Sequence, residues 1–60
     1  MSMTEAEALE AARKAAIDLI ETEYNLMEAI DPKEEWAATA VHCYRNNIIE
    51  AGMLLTALTR

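Results

Sequence analysis

Sixty residues with a formal net charge of −6 and a pI near 4.5 make at most one small acidic domain. A domain of this size is marginal alone and usually draws on a disulfide, a metal or a partner chain; the single cysteine, Cys43, excludes an intrachain disulfide and suits a reducing compartment. The negative charge disfavours nucleic acid and anionic membrane surfaces as partners, and no run of about eighteen apolar residues is present to span a bilayer. The acidic stretch MSMTEAEALE lacks the apolar centre of a signal peptide, so a cytoplasmic protein is expected.

Ala, Leu, Glu and Met, all strong helix formers, dominate the chain, and its one Gly and one Pro leave little room for turns. Thr4-Glu5-Ala6-Glu7 has the spacing of a capping box, in which the Thr4 side chain accepts from the Glu7 amide and Glu7 reaches back. A first helix is predicted over about Glu5 to Ala29, roughly 37 Å long. At about 100° per residue, Leu9, Ala12, Ala16, Leu19, Ile20, Leu26, Met27 and Ile30 share one face. Glu7, Glu10, Lys14, Asp18, Glu21, Asn25 and Glu28 lie opposite.

Ile30-Asp31-Pro32-Lys33-Glu34 is the one clear break. Asp31 suits an N-cap, Pro32 the first helical position, and Glu34 would complete a second box. A second helix is therefore predicted from Pro32 to about Leu58 after a turn at 30–31, antiparallel to the first. Its apolar arc holds Trp36, Ala37, Ala40, Val41, Tyr44, Ile48, Ala51, Leu54, Leu55 and Leu58. The fold class is all-α: one antiparallel helical hairpin over residues 1–60.

Both apolar arcs exceed the roughly 100° that faces a single neighbour. A lone hairpin would leave a large apolar patch in water. Two hairpins packed face to face, a four-helix bundle homodimer, would cover it. Leu19, Ile20, Leu26, Met27, Trp36, Ile48 and Leu55 are the expected core or interface residues.

Glu23 falls in the middle of the apolar face of helix one. An ionised, unpaired carboxylate there would cost several kcal/mol. Counting equally outward from the turn sets Ala37, Ala38 and Thr39 at its height, and none supplies a cation. In a two-fold dimer Arg45, His42 or Asn47 of a second copy could reach it. A polar contact that fixes register is preferred to a cation or ligand site, because buried charges are usually paired within the structure. Asn47 lies among Trp36, Ala40, Leu54 and Leu58, where an asparagine commonly specifies register. Gly52, inside helix two, costs about 1 kcal/mol relative to alanine, and close approach of another backbone is the expected reason.

Cys43 and His42 are adjacent, so on a helix they diverge by about 100° and do not form a catalytic pair. There is no Glu-x-x-His, Cys-x-x-Cys or His-Glu-x-x-His pattern and no glycine-rich phosphate loop. An enzyme is not expected, nor a metal or other cofactor. Tyr24, Tyr44, Trp36 and Arg45 could stack against a flat ring between subunits, although aromatics in a small bundle more often pack as core.

The pattern of two amphipathic helices joined by a short turn resembles the plasmid Rop-like helical hairpins, which implies a homodimeric bundle. The basic and aromatic RNA-binding face of that family is not evident here. The amphipathic, methionine-containing stretch Ile49-Glu50-Ala51-Gly52-Met53-Leu54-Leu55-Thr56-Ala57-Leu58 is similar to small phage helical hairpins that sequester cyclic-nucleotide signals. A phage or plasmid origin suits so short a chain. The function expected is that of a small, self-associating interaction protein that binds and modulates another protein. The alternative is a nucleotide-like small-ligand binder with an intersubunit pocket built from Glu23, Tyr44, Arg45 and Asn47.

Overall fold

Helix formation begins where the capping box places it. The Thr4 amide donates to Glu7 Oε1 at 3.1 Å, the Glu7 amide donates to Thr4 Oγ1 at 3.1 Å, and the Ala8 amide opens the helical ladder on the Thr4 carbonyl at 3.0 Å. The computed structural model describes residues 2–59, which hold two α-helices, α1 over Glu5–Ala29 and α2 over Ala37–Leu58. They pack against each other as a hairpin. Among the described residues no helix is long and apolar enough to cross a membrane.

The second helix starts five residues later than the sequence pattern suggests. Asp31 does not cap it: its Oδ1 accepts from the Lys33 amide at 3.0 Å, but within a turn that precedes the helix. The chain then makes a pair of tight turns rather than a helix, with the Glu34 amide on the Asp31 carbonyl and the Ala37 amide on the Glu34 carbonyl, each at 3.1 Å. Both are three-residue steps, and the four-residue ladder begins only when the Ala40 amide reaches the Trp36 carbonyl at 2.9 Å. Trp36 takes the N-cap position without any side-chain bond to cap with. Among the described residues no bond returns from the Glu34 carboxylate to Asp31, so the second capping box is not formed. Residues 31–36 are all exposed, and water can serve the amides the turns leave outside the helix.

At the far end α2 is closed by side chains. Thr59 Oγ1 donates to the Thr56 carbonyl at 3.0 Å, and Thr56 Oγ1 donates to the Gly52 carbonyl at 2.9 Å. Arg13 Nη2 crosses from α1 to donate to the Leu58 carbonyl at 2.8 Å, serving one of the acceptors that a helix C-terminus leaves open. Arg13 Nη1 also lies 3.9 Å from Glu10 Oε2, a partly exposed pair of little energetic weight.

The seam between the helices is made of small residues. Ala16, Ala37 and Ala51 are 3–4% exposed and are the only buried apolar residues among those described. Ile20, Met27, Ile48 and Leu55 are half-buried. Leu19, Leu26 and Trp36 are not covered by the hairpin: they are 43%, 42% and 55% exposed. The hairpin measures 47 × 24 × 13 Å. Its smallest dimension is close to the roughly 10–12 Å diameter of one helix with its side chains, so the fold is one layer thick.

Candidate functional site

The six-residue excursion of 31–36 sets the register of the two helices. It brings Glu23 level with Asn47, whereas equal counting from a tight turn at 30–31 would have set it against Ala37–Thr39. The Asn47 Nδ2 amide donates to Glu23 Oε1 at 3.0 Å within the same hairpin. Asn47 is thus the partner of Glu23, but in its own chain, with no second copy required. Glu23 is 8% exposed, the only buried polar residue among those described. Its second oxygen, Oε2, is buried without a hydrogen-bond partner, as is Arg13 Nε one helix half away. A neutral amide satisfies half of the carboxylate, and the pair acts as one of two polar ties across a largely apolar seam.

The other two residues expected at this site, Tyr44 and Arg45, make no hydrogen bond to the Glu23–Asn47 pair among the described residues. Tyr44 is half-buried one turn from Asn47 on the same face, and Arg45 is exposed. Arg45 stands two residues from Asn47, roughly 200° round the helix, which carries it away from Glu23. Among the described residues Arg45 has no ion pair. His42 and Asn46 lie 3.2 Å apart on the exposed side of α2, one turn apart. Cys43 is a free, exposed thiol. No group of three or more His, Cys, Asp or Glu among the described residues is arranged to hold a metal ion.

A groove of about 370 Å³ runs beside the Glu23–Asn47 clip, toward the open end of the hairpin. It is lined by Ala12, Ala15, Ala16, Leu19, Ala51 and Leu54, with Asn47 and Glu50 as its polar members. The two helices contribute matching sets, residues 12, 15, 16 and 19 from α1 and 47, 50, 51 and 54 from α2. Each set has the spacing of one helical face, with small residues at three of the four α1 positions. Periodicity flagged these faces. It did not show that the alanines would form a recess, because that depends on the register fixed by the turn.

A second recess of about 520 Å³ lies near the turn, between Met27, Ile30, Pro32, Ala37, Ala38 and Val41. Gly52 has nothing within 4 Å of the place where a Cβ would stand, so no backbone approaches it closely in the hairpin, contrary to expectation. At the exposed start of α1, hydrogen bonds from the Thr4 amide and hydroxyl to Glu7 hold that carboxyl below its ordinary 4.5.

No protein-family model, curated protein or solved structure matches this chain, so its likeness to Rop-like and phage signal-sequestering hairpins rests on the two-helix hairpin alone.

Proposed function

We propose that the chain is a non-catalytic interaction protein that works as a homodimer, two hairpins stacked into a four-helix bundle, and engages another protein through apolar surface outside that interface. The single observation that carries this reading is the amount of surface the hairpin leaves exposed. A compact monomer of this mass, 6.7 kDa, exposes roughly 3,900 Å². The hairpin exposes 4945 Å². The excess of about 1,000 Å² is close to the roughly 800 Å² that each partner gives up in a standard interface. The Cα radius of gyration, 14.5 Å, likewise exceeds the roughly 10 Å of a compact 60-residue domain. Stable domains stack two layers of secondary structure around one core, and a second copy is the simplest source of the missing layer.

Further apolar groups remain for a different partner. Ile17 and Tyr24 are exposed and seven residues apart, a stripe roughly 200° round α1 from Leu19. Ile49 and Met53 form a similar exposed pair on α2. The carboxylates of Asp18, Glu21, Glu28 and Glu50 are spread over the same surfaces, which suits a partner with a basic rim around an apolar centre. Sedimentation equilibrium across the micromolar range tests the assembly. The expected mass is twice 6.7 kDa; a well-folded single chain throughout that range would overturn the reading.

A further inference from the structure

The exposed apolar residues do not all lie on one side, so a homodimer could in principle use more than one face. We infer that the second copy seats on the alanine-lined groove, with Leu54 and Leu19 of each hairpin entering the groove of the other. This rests on the homodimer proposed above and adds where the interface lies.

A two-fold interface must be self-complementary, because the same patch serves on both copies. It therefore needs recesses and protrusions within one surface. The groove supplies the recess in Ala12, Ala15 and Ala51. Two more of its lining residues supply the protrusions: Leu19 and Leu54 are 43% and 49% exposed. Leu26 continues the Leu19 stripe two turns along α1 and is also exposed. Leucine side chains entering holes lined by small residues are the packing unit of helical bundles.

The competing surfaces lack one half of this pairing. None of the residues lining the recess near the turn is among the large exposed apolar groups; Trp36 and Leu26, exposed chain neighbours of Ala37 and Met27, do not line it. The Ile17–Tyr24 and Ile49–Met53 stripes protrude, but none of the four lines either recess. Charge points the same way. Two copies of a chain carrying −6 repel each other, so their contact should be poor in carboxylates. Glu50 is the only one lining the groove, at an edge where it can stay in water.

Isotope-filtered nuclear Overhauser spectra on a mixture of ¹³C-labelled and unlabelled full-length protein read the contact directly, without a variant. Cross-peaks between copies are expected from the Leu19 and Leu54 methyls to those of Ala12, Ala15 and Ala51. In parallel, Leu54→Glu should weaken dimerisation at least 100-fold, while Ile17→Glu should change it less than three-fold. A dimer whose intermolecular cross-peaks come from Ile17, Tyr24 or Ile49, or one that tolerates Leu54→Glu, would overturn the inference and leave the homodimer standing. Such a result would free the groove for another occupant. A monomeric wild-type sample would overturn both.

Discussion

The seam of the hairpin and the face beside it carry residues of opposite size. Inside are Ala16, Ala37 and Ala51; outside are Leu19 and Leu54, one turn from Ala16 and Ala51, and Leu26 further along α1. In a self-sufficient domain the order is reversed, since a large side chain gains about 1.5–3 kcal/mol by full burial and an alanine much less. The small seam lets the helices approach closely, but it collects little hydrophobic free energy. The hairpin compensates with polar ties at two levels, Asn47 to Glu23 and Arg13 to the Leu58 carbonyl. The leucines, each with more burial energy to gain than an alanine, stay exposed on the hairpin and would be covered in the dimer proposed above.

Breaking the inner clip should have the largest effect on the seam. Asn47→Ala removes the one donor to a carboxylate that is 8% exposed and whose other oxygen already lacks a partner. A buried charge stripped of its bond should cost about 2–3 kcal/mol. Urea unfolding at fixed chain concentration is the measurement, because in the proposed dimer dissociation and unfolding would be linked. A loss under about 0.5 kcal/mol would mean that Glu23 reaches water or another donor when the amide is gone. Replacing both members by leucine should restore or exceed wild-type stability, since a buried polar pair is often no better than apolar residues of similar volume.

Enlarging the seam should come next. Ala16→Leu adds three carbons where the helices meet and should cost about 1–3 kcal/mol by forcing them apart. Ala11→Leu, the same change at an exposed position of α1, should stay within about 0.5 kcal/mol of wild type. Equal effects of the two substitutions in thermal melts would show that the helices are not in close contact at Ala16, and the contrast between seam and face would lose its basis.

How much of the fold was legible depends on the range of the interaction. α1 could be bounded from Thr4, Glu7 and the Asp31-Pro32 break because capping acts over three or four residues. Those same local signals misplaced the start of α2. Asp31 bonds the Lys33 amide whether a helix or a turn comes next, and Trp36, where the helix does start, has no capping group to announce it. The register error came directly from that. Glu23 stood out as an anomaly on an apolar face, and Asn47 as another, but their pairing within one chain is set by the length of the 31–36 excursion. Periodicity likewise put Leu19 and Ala16 on one face without showing that the hairpin covers the alanine and leaves the leucine bare.

The smallest expected effect lies outside the seam, at the start of α1, and it sharpens the contrast between a helix end that is capped and one that is not. Bonding to Thr4 lowers the Glu7 pKa in the folded chain from its ordinary 4.5. The folded state therefore prefers the ionised carboxylate. The resulting stability is fully present above about pH 4.5 and is lost as pH falls through the lowered folded value. Because Glu7 is exposed, the loss is confined to the first turn. Amide exchange at residues 5–8 should accelerate relative to the rest of α1 between about pH 5 and 3, after correction for the intrinsic rate. In Glu7→Gln the side chain can still accept from Thr4 but no longer titrates, so this extra pH dependence should vanish. Retention of the full dependence in that variant would assign it to another carboxylate and remove Glu7 as the titrating cap, while leaving the alanine seam and the leucine face untouched.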